Sequence, residues 1–116
     1  MRLFAAATSA VLSFVGCSST AAGTHSPQAL RAAGAPVIDV RTPEEWNEGH
    51  ADGTVLIPVQ ELEARLAEVD ALVGGDKSRP VVVVCRSGAR AGRAAAILKA
   101  RGYSTVVNGG AWTTMR

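Results

Sequence analysis

The residues best equipped for chemistry sit in one hexapeptide, Cys85-Arg86-Ser87-Gly88-Ala89-Arg90. It follows Val81–Val84, a uniformly β-branched run suited to a strand buried on both faces. Ala89 to Arg101 has the pattern of a helix, so the hexapeptide is a loop between a strand and a helix N-terminus. Such a loop turns its backbone N–H groups inward, and the helix start adds unpaired donors and partial positive charge. A thiol held there ionises below its free pKa of about 8.5. Arg86 and Arg90 add full charges at the mouth, Gly88 allows close backbone approach, and the Ser87 hydroxyl is a further donor for anionic sulfur. A structural cysteine at a strand end is common. It would account for Cys85 alone, and not for two arginines, a serine and a glycine in the next five positions. The chemistry implied is that of an activated thiolate nucleophile.

A chain of 116 residues holds one small domain at most. A multidomain enzyme or a long repeat array is therefore excluded. With 47% hydrophobic and 19% charged residues, the chain is too apolar to be disordered. A net charge of +2 does not suggest nucleic-acid binding. Arg86, Arg90 and Arg93 recur at near-helical spacing, but they read as one anion-binding loop plus a solvated helix face. Two cysteines exclude a disulfide-stapled miniprotein.

The elements that must position Cys85 alternate between strands and helices. Ser26-Pro27 starts a helix that Gly34 stops. Pro36–Val40 is a short strand. Thr42-Pro43-Glu44-Glu45 is a capping box that opens a second helix. Gly49 and Gly53 mark a loop, and Val55-Leu56-Ile57 is a strand closed by Pro58. Apolar residues at 59, 62, 66, 69 and 73 predict a helix over Val59–Val73, with Glu61 and Arg65 paired on its wet side. After the valine strand and its helix, which Gly102 ends, Tyr103–Val107 is expected to be the last strand and Asn108-Gly109-Gly110 a tight turn. Trp46 and Trp112 are expected to fill the core, and the cover of the sheet after Trp112 to be thin. The alternation argues an α/β fold, a central parallel sheet with helices on both faces. Functional residues in such sheets lie beyond the carboxyl ends of strands, which is where Cys85 falls.

The hexapeptide Cys85–Arg90 resembles the active-site loop of the rhodanese-type sulfurtransferases. Four further segments resemble that family, in the same order along the chain. They are Asp39–Trp46 with Glu48-Gly49-His50, then Gly53–Pro58, then Gly102-Tyr103, and finally Asn108-Gly109-Gly110. Together they span about residues 24 to 112. The resemblance implies a rhodanese-like fold and a two-step sulfur transfer. Cys85 takes the sulfane sulfur of thiosulfate or a similar small anionic donor and passes it from a persulfide to cyanide or a thiol. Arg86, Ser87, Gly88, Ala89 and Arg90 would bind the donor, and no metal or organic cofactor is implied. Asp39 and Arg41 read as structural partners that fix the neighbouring loop, and His50 as a structural hydrogen bonder.

Rival chemistries are separable by counting. The related phosphatases and arsenate reductases use a Cys-x5-Arg loop, whereas Cys85 and Arg90 have four residues between them, not five, and position 91 is alanine. One residue removes up to about 3.3–3.6 Å of chain, which favours a pocket for one sulfur over one for a tetrahedral oxyanion. A partner-binding or sulfur-carrier module remains the alternative, but purely non-catalytic modules are expected to lack the cysteine. A dithiol redox protein needs a second thiol in the domain.

That second cysteine, Cys17, belongs to a different segment. Residues 1–16 carry one charge, Arg2, and are otherwise small and apolar, the pattern of a secretory signal peptide. Phe14-Val15-Gly16-Cys17 resembles the lipobox of bacterial lipoproteins, with Phe14 where leucine is usual. The resemblance implies lipidation at Cys17, a tether over 17–23, a domain over 24–116, and a monomer anchored at the periplasmic side of a membrane, the outer one by the residue after Cys17.

Overall fold

The computed structural model describes residues 26–116. The leader assigned to 1–16, Cys17 and the tether over 17–23 lie outside the described residues. Helix α1, Pro27–Ala32, is capped by the Ser26 side chain, which accepts from the Ala29 N–H at 3.1 Å. Strand β1, Val37–Asp39, is followed by α2, Pro43–Glu48, whose Thr42 and Glu45 form the reciprocal capping box expected from the sequence. Strand β2 is Val55–Leu56. Helix α3 is Leu66–Leu72, β3 is Val81–Cys85, α4 is Ala89–Ala100 and β4 is Val106–Ala111. A 3-10 turn, Trp112–Met115, follows β4.

The four strands form one parallel sheet in the order β2-β1-β3-β4. Every residue of β3 is buried, as its β-branched composition requires. Its pleat divides the core. Val81, Val83 and Cys85 pack with Val69 and Val73 at α3 and with Ala91, Ala94, Ala95 and Leu98 of α4. Val82 and Val84 face Leu30 of α1, Ala51 and Met115. Each fully buried valine stabilises the fold by about 1.5–3 kcal/mol relative to exposure. Helices thus cover both faces, and Met115 supplies the cover expected to be thin.

Three local expectations are corrected. Val59–Val73 is not one helix: Val59–Glu61 and Glu63–Arg65 are 3-10 turns and only Leu66–Leu72 is α-helical. The interval of three from Val59 to Leu62 already matches the 3-10 repeat. The Val59 N–H is held by the Val40 carbonyl, and Arg65 leaves helical geometry at φ −117°, ψ 27°.

Tyr103 is not in a strand. It follows Gly102, at φ +99°, in a Schellman motif: its N–H reaches the Leu98 carbonyl, and the Gly102 N–H reaches that of Lys99. The tyrosine ring is buried and its hydroxyl donates to Asp70. Burial, together with that carboxylate, raises the phenol pKa to about 12.

Asn108-Gly109-Gly110 lies within β4, not in a turn. Val83 pairs with Asn108 and Cys85 with Ala111, so β4 carries one extra residue beside the loop that follows Cys85. A Cβ on Gly109 would meet the Cγ1 atoms of Val82 and Val84 at 2.9 Å. Glycine is therefore required there for close strand packing. Gly109→Ala is expected to destabilise the domain by about 1–3 kcal/mol, the cost of overpacking, in chemical denaturation.

Candidate active site

Cys85 ends β3, and the next three residues turn the chain into α4. Gly88 caps α4 in the left-handed region at φ +106°, where a side chain would be strained. The turn is strapped to β4: the Asn108 side-chain amide donates to the Gly88 carbonyl at 3.0 Å, and the Asn108 oxygen accepts from the Gly110 N–H at 2.9 Å.

The result is a cradle around sulfur. Cys85 Sγ accepts from the backbone N–H of Gly88 at 3.0 Å and of Ala91 at 3.3 Å. Burial alone pushes the thiol up, since the residue is 1% exposed. The N–H groups of Ala91, Gly88, Ser87 and Arg90 outweigh it and leave the thiol below its ordinary value. Ser87 therefore contributes its backbone, and its hydroxyl makes no hydrogen bond to the sulfur. Ala89 is exposed at the first turn of α4.

The two loop arginines have different surroundings. Arg90 is clasped by Glu45 through both oxygens, at 2.7 and 2.9 Å. Arg86 reaches the same carboxylate only at 3.7 Å, and its side chain is 75% exposed. Hydrogen bonding from Arg90 and then from the Thr42 N–H lowers the Glu45 pKa from 4.5 to about 2. Arg93 is exposed a turn further along α4.

Asp39 and Arg41 are both buried and fully engaged. Arg41 Nε and Nη2 bind the Asp39 carboxylate at 2.8–3.0 Å, while Nη1 donates to the Glu45 carbonyl and Nη2 to that of Gly49. The pair thus fixes α2, and with it Glu45, against the end of β1. His50 is exposed; its Nδ1 lies 2.9 Å from the Trp46 carbonyl and its ring stacks on Trp46 at 3.7 Å.

Trp46 and Trp112 are only half-buried, which corrects their placement in the core. On that face the core positions are filled by Val82, Val84 and Met115. Trp112 packs against that cluster from its edge and lies between the Arg41 and Arg116 guanidiniums, 4.5 and 5.0 Å from its ring centre. With Arg41, Glu45, Glu48, Gly49 and Arg86 it lines a cavity of about 260 Å³ beside the loop. Sequence reasoning missed Trp112, Glu45 and Glu48 as site residues. The capping box already explained Glu45, and nothing local marks the tryptophan as a wall of the site.

Comparison with known proteins agrees with this geometry. Residues 25–111 match the rhodanese-like domain family. The chain belongs to that family. It is 38% identical over 73 residues to thiosulfate sulfurtransferase PspE of Escherichia coli K12, covering 63% of this chain and 66% of that protein. It is 34% identical over 84 residues to thiosulfate sulfurtransferase GlpE of Pseudomonas entomophila, covering 71% and 72%. Among solved structures, a rhodanese with anions from E. coli superposes with a TM-score of 0.60 at 36% identity, over 67% of this chain and 87% of that one. The matched region spans just under two thirds of PspE. The rhodanese-like domain is thus assigned on sequence and on fold.

Two outcomes follow from the charges of this domain. Arg41→Ala leaves Asp39 buried without its partner and should cost about 3–5 kcal/mol, measured by urea denaturation. The Glu45 pKa is lower in the folded state, so its contribution to stability is complete above pH 4.5 and is lost as pH falls toward 2. Acid titration of stability should show Glu45→Gln losing less than the wild type across that window.

Proposed function

We propose that this protein is a sulfurtransferase that carries sulfane sulfur on Cys85. The observation that supports it most directly is the buried Cys85 sulfur, held by converging backbone N–H groups within a rhodanese-like domain. In the first step the Cys85 thiolate attacks the outer sulfur of thiosulfate or a similar donor. The donor S–S bond breaks, sulfite leaves with the electron pair, and Cys85 becomes a persulfide. In the second step cyanide or a thiolate attacks the outer sulfur, and the Cys85 thiolate departs. The loop N–H groups stabilise anionic sulfur in both steps without reorganising. Arg86, exposed and loosely held, meets the donor anion. Arg90, committed to Glu45, holds the loop.

Residues 1–16 and Cys17 support a second element of the proposal, drawn from sequence alone. The leader exports the chain, and lipidation of Cys17 anchors the domain, as a monomer, at the periplasmic side of the outer membrane. Stable anchoring takes more than one acyl chain, which a lipoprotein N-terminus supplies. A Cys17→Ser variant should lose the membrane-bound fraction in cell fractionation.

For the chemistry, Cys85→Ala should abolish thiosulfate:cyanide transfer, and intact mass after thiosulfate treatment should show one added sulfur on the wild type only. Arg86→Ala should raise KM for thiosulfate about tenfold, the loss of a charge-assisted hydrogen bond of about 1.5 kcal/mol, with a smaller change in kcat. Activity retained by Cys85→Ala would refute the mechanism.

A further inference from the structure

We propose that Glu45 is a positioning residue that, by sharing its carboxylate between Arg90 and Arg86, limits how strongly the loop's positive charge stabilises the Cys85 thiolate. Few formal charges lie on the elements around the loop, and one of them, Arg90, interacts through space with the charge of Cys85. Arg86 and Arg90 come from the loop and α4, Glu45 from α2, and the Asp39–Arg41 pair, neutral as a unit, from the end of β1. Strand β4 contributes the uncharged Asn108 strap. Glu61, in the 3-10 turn beyond β2, is paired with Arg65. Glu48, also from α2, lines the cavity beside Arg86 but forms no ion pair with either arginine among the described residues, so Glu45 is the anion that pairs with both. Its clasp on Arg90 is bidentate, and its Oε1 also accepts from the Thr42 N–H and hydroxyl. The carboxylate is held in place, and it stays ionised throughout the neutral range.

The consequence for catalysis, which alone rests on Cys85 being the sulfur carrier, is a balance between the two half-reactions. Thiolate nucleophilicity falls as thiol pKa falls, by about threefold per unit, while a lower pKa makes a better leaving group. Loading requires Cys85 to attack, and the donor S–S bond breaks. Unloading requires Cys85 to leave, and the bond from Cys85 to the carried sulfur breaks. Without Glu45 the cradle and two unopposed arginines would hold sulfur too firmly as an anion. Loading would slow and discharge would quicken. With Glu45 present, neither step is favoured at the expense of the other.

The test is the pH profile of Cys85 alkylation by iodoacetamide, a neutral reagent, in the full chain. Glu45→Gln keeps the shape and removes the charge. Its midpoint should fall by on the order of one pH unit, the effect of an adjacent formal charge. Glu45→Asp keeps the charge, and its midpoint should stay near the wild type. In single-turnover assays at saturating thiosulfate, run at a pH above both alkylation midpoints so that Cys85 is ionised in both proteins, Glu45→Gln should load about threefold more slowly and discharge to a thiol about threefold faster. A purely structural Glu45 gives the opposite pattern: the loop loosens, the midpoint rises or holds in Glu45→Gln, and Glu45→Asp shifts as far. Either result overturns the proposal. If Glu45→Gln does not fold, Arg90→Gln must move the midpoint upward, and a fall or no change overturns it equally. Alkylation does not depend on sulfur transfer. Failure of every variant and the wild type to move sulfur, with the midpoints as expected, supports this role for Glu45 and removes the transferase reading.

Discussion

A sulfur atom enclosed at the end of a central strand loses the water that would solvate its anion, and burial by itself drives the thiol toward the neutral form. The thiol nonetheless lies below its ordinary value because backbone N–H groups converge on it, and most of the surrounding architecture serves that convergence. Gly88 must adopt a left-handed conformation so that its N–H turns toward Cys85. The first turn of α4 must begin immediately afterwards, so that its unpaired donors face the sulfur rather than solvent. The Gly88 carbonyl accepts from the Gly92 N–H within α4 and from the Asn108 amide, which ties the turn to the bulged strand β4.

The second layer of the site is electrostatic, and it is built from sequence-remote groups. Arg41 spends its guanidinium on Asp39 and on two carbonyls at α2. That rigid joint brings Glu45 to Arg90, 45 positions later in the chain. Two neighbouring arginines thereby acquire different surroundings. One is a fixed strut; the other projects into solvent at the mouth, where an anion can reach it. Trp112, wedged between Arg41 and Arg116 and packed against Gly49, makes the far wall of the same depression.

Relationships between neighbours in sequence were legible from residue types. The Ser26 and Thr42 caps, the valine strand and the stop at Gly102 depend on groups within a few positions of one another, and each occurs where its residues imply. The alternation of strands with helices implied the parallel sheet, and the strand-to-helix transition after Val84 located the cysteine. Other segments were not legible. The stripe from Val59 to Val73 shows which face is buried but not whether the backbone stays α-helical, because the hydrogen bond of Val59 to β1 competes with the helix at its start. Asn108-Gly109-Gly110 has the composition of a turn, yet Gly109 answers to the bulk of Val82 and Val84 on the neighbouring strand. Tyr103 has the aromatic character of a strand residue and serves as the buried partner of Asp70.

The amino-acid order by itself determined that a cysteine ends the most buried strand, that donors and a glycine follow it, and that local caps define the helices around it. These are matters of chain geometry and side-chain type over a few residues. Only the tertiary structure decided which arginine Glu45 clasps, which it holds loosely, and that Glu45 and Trp112 belong to the site. Those outcomes depend on how α2 and β4 pack against the loop, and Coulomb forces and close packing act through space, without regard to distance along the chain.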